Sequence, residues 1–462
     1  MSKAVFLEGS LMRHVAVMSA TSSVGILAIF AVDFIDMIFI SMLGKAELAA
    51  AIGYTGTLLF FTNSINIGLS IAAGSLVARA LGAGERARAR DLATSVALVA
   101  VLVSILVPIA VLWNLQELLQ FLGATGETLE FAIRYSAIIV PFMAFMGIAM
   151  TSMAVLRANG DAKASMYVTL AGGVVNAALD PLFIFGLGLG LDGAAYASVA
   201  ARLTMGASGL WYVIRKHDGF SRPSARVFLS DIGKVLAIAG PAVLTNLATP
   251  FGTAIVTREM AKFGTEAVAA MAVIGRLTPM AFAVVLALSG AIGPIVGQNF
   301  GAKKFDRVRG TFVAGLKFVG AYVLVATALL FLMRVEIADL FDASGEMQQL
   351  IFLFCGPLAL FQFFNGAIFV CNAGFNNLGR PLYSTAVNWG RHTIGTLPFV
   401  LLGAYLAGAA GVLVGQAVGG VFFAGAAVLV AWRLTGRLEP RVEIEEFEKE
   451  RRLHKVSFQR NW

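Results

Sequence analysis

The sequence predicts an all-α membrane protein of twelve transmembrane helices, arranged as two parallel six-helix bundles with both termini in the cytoplasm. Three observations carry this expectation: too little charge for a soluble chain, apolar runs of membrane-spanning length, and an internal repeat at a constant offset. Of 462 residues, 58% are apolar and only 13% charged, with a mean hydropathy of +0.82. Soluble domains carry about 25% charge, and a soluble chain of this length would have about three domains to coat. A water-soluble multidomain protein, a disordered chain and a collagen-like fibre are excluded.

A hydrocarbon core about 30 Å thick takes about 20 apolar residues per helix. Spans fall near 15–41, 48–80, 93–113, 129–156, 164–187 and 192–214, then near 235–261, 267–298, 312–333, 348–376, 383–406 and 409–432. These runs far exceed the roughly 9–11 residues of a barrel strand. The first span follows Arg13 and His14 and continues without a cleavage site, so it reads as a retained helix and not a signal peptide.

Charge between the spans alternates. Arg86, Arg88 and Arg90 follow the second span, Arg157 and Lys163 the fourth, and Lys303, Lys304, Arg307 and Arg309 the eighth; Arg215, Lys216, Arg222, Arg226 and Lys234 fill the centre. Of the opposite loops, 114–128 has no lysine or arginine, and 335–347 holds only Glu336, Asp339, Asp342 and Glu346. The positive-inside rule puts the basic loops and both termini in the cytoplasm. It also accounts for the net charge of +8 without a nucleic-acid partner. The tail, including Glu445–Arg452, reads as a solvated helix. Cys355 and Cys371 sit in apolar runs and read as small packing residues, with no disulfide framework or zinc spacing.

The repeat sets the architecture. Leu69–Arg90 and Leu288–Arg309 align at an offset of 219, matching Leu-Ser, Gly74 with Gly293, Val77 with Val296, and Gly82-Ala83 with Gly301-Ala302. Gly160 finds Gly379 at the same offset. Each repeat holds an even number of spans, so the copies are parallel and related by an axis along the membrane normal, with substrate expected at their interface. The predicted organisation is an N-terminal bundle over 1–214, a linker over 215–234, a C-terminal bundle over 235–433 and a charged tail over 434–462.

Three stretches carry a family likeness: VDFIDMIFISMLGKAELAA at 32–50, the repeated Gly-Ala-plus-basic loops, and LRANGDAKASMYVTLAGGVVNAALDPLFIFGLGLGLDGAAYASVAAR at 156–202. On these the chain resembles the multidrug and toxic compound extrusion (MATE) family over nearly its whole length. The resemblance implies a twelve-helix, two-lobed antiporter of a bacterial or archaeal inner membrane. Such a protein expels amphipathic, usually cationic compounds, driven by inward sodium or proton flow. The family's first-helix carboxylate is met by Asp36, and its fifth-helix Asn, Asp and Pro by Asn176, Asp180 and Pro181. Asp33 is an additional acid, and Thr21 stands where the second repeat keeps Pro241, so a proline-dependent bend of the first helix is not carried over.

The residues also speak without the family. A carboxylate inside the bilayer costs about 2.5–3.5 kcal/mol on insertion scales, so it faces a cavity or a partner. Asp33 and Asp36 share a helix face, and the repeat counterparts of Asp36 and Asp180 are Val256 and Phe399. Only the first half keeps the acids, so they form one asymmetric candidate site for cation coupling: Asp36, Asp180, Asn176 and Asp33. Either a proton shared within the cluster or a sodium ion held by Asp36, Asp180 and the Asn176 oxygen fits; no other metal and no organic cofactor is expected. For the substrate cavity the candidates are Asn66, Ser198, Gln362, Asn365 and Phe361, the last three in a phenylalanine-rich span suited to aromatic cations. Arg202 is a candidate counter-charge, while Arg391 and His392 read as structural. The expected partners are organic cations or amphipathic drugs and the lipid bilayer, with a monomer as working unit. A lipid-linked flippase is the alternative function. Without HExxH or GxSxG an enzyme is not expected.

Overall fold

In hydrocarbon every backbone polar group must be satisfied within its own segment, so the apolar runs have to be helical. The computed structural model describes residues 4–438, and the described chain is helical throughout, with no strand among the described residues. The charged tail from 439 onward, with its predicted helix at Glu445–Arg452, lies outside the described residues. The first half comprises α1 (Leu11–Ser41), α2 (Ala46–Gly82), α3 (Arg86–Trp113), α4 (Leu115–Phe121), α5 (Gly126–Ile139), α6 (Met143–Ala158), α7 (Ala162–Pro181) and α8 (Leu191–His217). The second comprises α9 (Ala225–Met260), α10 (Thr265–Ala281), α11 (Ala283–Gly301), α12 (Phe305–Leu332), α13 (Arg334–Leu340), α14 (Gly345–Leu353), α15 (Gln362–Asn377), α16 (Pro381–His392) and α17 (Leu397–Gly436).

Among the described residues, nine helices have the length and apolarity to cross a membrane, or ten if the pair 345–358 and 362–377, bent by 55°, is one span. That bend sits at Pro357, beside the non-helical Gly356. Pro141 breaks the fourth span into α5 and α6 for the same reason: proline has no N–H to give the preceding turn. Pro241 and Pro250, by contrast, lie inside an uninterrupted α9. The forty residues of α17 are two arms. Ala407 and Gly408 leave helical geometry, and Gly408 takes a φ of +59°, which favours glycine. Past that corner Gly411 packs on the Gly403 backbone, Gly415 on Phe399 and Gly419 on Gly395, the register of an antiparallel pair.

Helices begin earlier than apolarity alone indicates. α3 starts at Arg86 and α9 at Ala225, so the connection between halves is 218–224 and not the whole of 215–234. Apolarity marks where hydrocarbon begins, whereas the backbone ladder runs on through charged residues. Asp231, in the first turns of α9, is fully buried and takes a two-pronged ion pair from Arg88 of α3, including an Nη1 to Oδ2 bond of 2.8 Å. Ser95 adds a third donor at 3.1 Å. Arg88→Ala leaves that carboxylate buried with one donor, and we expect a loss of about 3–5 kcal/mol, read as a lower unfolding midpoint in detergent.

Two large apolar cores form, one mainly from α2, α3 and α6, the other mainly from α11, α12, α15 and α17. The halves meet where α2 crosses α11. The Gly82 Cα faces the Gln298 carbonyl, and the Gly301 Cα faces the Arg79 carbonyl, so closely that a Cβ at either site would collide with the backbone. Residues 79 and 298, like 82 and 301, are repeat partners. The contact is therefore reciprocal, as a two-fold axis between the halves requires. The hydrogen bonds that join the halves cluster at this same end, which carries the basic loops: Ser75 Oγ to the Asn376 carbonyl at 2.9 Å and Gln298 Nε2 to the Ala158 carbonyl at 2.8 Å. Residues 4–9 add a wedge there, with Phe6 buried and its backbone held by Gln298, Asn299 and Arg307. At the opposite, acidic end the loops bond within their own half, as in Lys45–Glu127 and Arg134–Asp192.

Candidate functional site

α7 ends at Pro181 and runs into a wide turn over Leu182–Gly186, closed by the Leu187 N–H on the Leu182 carbonyl at 2.8 Å. Proline permits that loosening, because no N–H is left to continue the ladder. Asp180 sits immediately before the break, fully buried, and both its carboxylate oxygens lack a hydrogen-bond partner. Asn176, one turn earlier on the same face, is also buried and its Nδ2 is likewise unpartnered.

α1 packs along α7 and brings Asp36 to this spot. The Asp36 carboxyl lies within hydrogen-bonding reach of the Asp180 carboxyl, and its Oδ1 is buried without a donor. α5 supplies Tyr135, which is buried and lies beside Ser198 of α8 and near both acids. The site is thus closed by four helices of the first half alone. Burying a carboxylate without a donor costs several kcal/mol, and two that touch cannot both stay charged without a cation between them. Three unpartnered oxygens therefore mark a place that a shared proton or a small cation completes.

Of the predicted coupling residues, Asp36, Asp180 and Asn176 come together. Asp33 does not: it lies one turn earlier on α1 and is exposed, continuing the stripe of Ser22, Ile26 and Ile29 that lines the space between the halves. Arg202, expected as a counter-charge, instead donates to the Ile139 carbonyl at 3.4 Å and contacts Met143 Sδ at 3.0 Å. Among the described residues no three His, Cys, Asp or Glu side chains group as a metal site.

A cavity of about 200 Å³ lies between the halves, walled by α1, α2, α6, α7 and α11. The five predicted cavity residues lie off its walls. Asn66 accepts from Ser104 at 3.0 Å inside the first half, and Ser198 belongs to the acid cluster through Tyr135. Gln362 and Asn365 bond each other at 2.6 Å, and Phe361 packs beside them against Phe364. What sequence reasoning missed is Tyr135, indistinguishable from a core aromatic in an apolar run, and Arg157, which stands at a span's end and reads as a loop charge.

Comparison with known proteins bears on the family and the fold. The MatE family model matches residues 22–182 and again 241–399, and the two matches begin 219 residues apart, the offset of the internal repeat. A protein named FAD transporter from Shewanella oneidensis is 28% identical over 86% of this chain and 89% of its own length. A probable multidrug resistance protein NorM from Deinococcus radiodurans is 28% identical over 73% of the chain and 76% of its own. Among solved structures, a mutant of the Vibrio cholerae MATE transporter VcmN superposes with a TM-score of 0.87 at 27% identity, covering 93% of this chain and 98% of that one. A double match to one family model, on a chain with these helices and this repeat, has one reading: the protein belongs to the MatE family of multidrug and toxic compound extrusion transporters, multi-pass membrane proteins that are not enzymes.

Proposed function

We propose that the protein is a proton-driven secondary antiporter that exports amphipathic organic compounds from a bacterial or archaeal cell. One observation carries this reading: the Asp36–Asp180 pair, with three buried oxygens lacking donors, among helices of one half only. A single shared proton completes the pair, whereas sodium would need more oxygen ligands than these. Twelve crossings follow if the bent pair, the 27-residue α8 and the division of 381–436 at Gly408 each add one to the nine, with the basic end cytoplasmic. The molecule, sealed at that end, then stands in its outward-facing state and works as a monomer.

Alternating access follows from differential binding. A ligand shifts a two-state equilibrium only by binding one state better, so exchange requires proton and cargo to favour opposite states. α1 and α7 carry the acid pair and line the cavity between the halves, so a change at one reaches the other through rigid helices. The name of the Shewanella relative favours a second reading of the cargo, a flavin nucleotide.

The test is efflux of a fluorescent amphipath from proteoliposomes under an imposed pH gradient or, separately, an imposed sodium gradient. A gradient of one pH unit supplies about 1.4 kcal/mol per proton, a tenfold concentration ratio for one-to-one exchange. We expect pH-driven accumulation that sodium does not replace; sodium-driven accumulation alone would reassign the ion. Asp180→Asn should abolish pH-driven transport while Asp33→Asn retains most of it, and equal tolerance of both would remove Asp180 from the site.

A further inference from the structure

Two adjoining cavities, of about 200 and about 60 Å³, lie between the halves, and Ser70, Arg157 and Gly290 line both. The smaller is walled by repeat partners. Ser70 and Ser289, Gly74 and Gly293, Ala154 and Ala373, and Arg157 and Asn376 each stand 219 residues apart. The cavity therefore lies on the pseudo-two-fold axis, where a compound carried between the halves touches both. Its symmetry is broken in charge at one place, an arginine where the second half has an asparagine.

The Arg157 guanidinium donates to Ser165 Oγ at 2.9 Å and is only partly buried, opening onto the cavity. No carboxylate of the described chain offsets its charge. Gly290 makes room for it, since a Cβ there would stand 3.3 Å from Nε. One serine answers one of five N–H donors. In the last turn of α6, facing a cavity between the halves with no carboxylate beside it, this cation is left unmatched, and the planar fork of arginine matches phosphate or carboxylate. The Asp36–Asp180 pair cannot supply that anion. Asp180 lies fifteen residues along α7 from Ser165, about 22 Å at helical rise.

We propose that this axial cavity is a subsite for an anionic group, a phosphate or carboxylate borne by the amphipathic cargo or by a lipid, with Arg157 as its anchor. The inference rests on the transport reading above and names its substrate class. Proton and cargo then occupy separate sites about 20 Å apart, and the buried acids are reserved for the ion instead of attracting a cationic drug.

The test is a fluorescence titration of the purified full chain in neutral detergent with riboflavin 5′-phosphate and with riboflavin, which share a ring system and differ by the phosphate. The wild type should bind the phosphate ester about tenfold more tightly or better, as a charge-assisted fork implies. Arg157→Gln should equalise the two, and Arg157→Lys, which keeps the charge and loses the fork, should retain part of the preference. Equal affinity of the wild type for both compounds overturns the proposal whether or not any variant folds, and so does an undiminished preference in Arg157→Gln. Competition by short-chain phosphatidylglycerol but not phosphatidylcholine would assign the anion to lipid; no competition by either would assign it to soluble cargo, and both results keep the subsite. The titration uses no ion gradient. A phosphate preference alongside efflux indifferent to pH and sodium would therefore sink antiport alone, and pH-driven efflux without the preference would sink the subsite alone.

Discussion

Asp36→Asn should leave a folded, membrane-inserted protein whose efflux falls to the rate of empty liposomes at every imposed pH gradient. The asparagine keeps the shape of the side chain, and its amide donates to Asp180, whose oxygens otherwise have no donor. The pair is then satisfied permanently, with nothing to release. Satisfying buried polar atoms stabilises a structure, so the unfolding midpoint should be unchanged or raised, which separates lost coupling from lost folding. Efflux that still follows the pH gradient in this variant would remove Asp36 from the ion site.

The second large effect is expected at the crossing of α2 and α11. Gly301→Val puts a branched side chain against the Arg79 carbonyl, where even a Cβ collides. Overpacking of this kind costs about 1–3 kcal/mol, and each 1.4 kcal/mol is a factor of ten in a two-state equilibrium. The cost falls on the state in which this end is closed, so the population should move toward opening there. A cysteine introduced by Ser289→Cys, with Cys355 and Cys371 replaced by alanine, reports it through an impermeant maleimide added from the basic side. The glycine protein should resist labelling and the valine variant should label readily; equal resistance in both would mean that this crossing does not govern closure.

Much of this was legible in the sequence because hydrocarbon punishes charge. Asp36, Asp180 and Asn176 stood out against apolar runs, and the structure brings these three together. The repeat offset pairs Gly82 with Gly301, and in the structure these two glycines meet where α2 crosses α11, a contact that the offset alone did not name. Tyr135 was not legible, because a tyrosine in a lipid-facing run and one beside two acids have the same local pattern. Arg157 was misplaced for a related reason. Proximity to a span's end suggests a solvated charge, yet α6 turns that residue inward over Gly290. Gln362 and Asn365 show the converse: two polar groups one turn apart invite a binding role, but they satisfy each other.

Coupling must run in both directions, since the free energy that links two ligands is reciprocal. The most direct measurement is therefore the internal pH of proteoliposomes loaded with an amphipathic substrate and diluted into substrate-free potassium buffer, with no ion gradient imposed. Antiport on the Asp36–Asp180 pair requires the lumen to acidify as substrate leaves, and to hold steady with Asp36→Asn. Substrate exit without any change of internal pH in the wild type would contradict it.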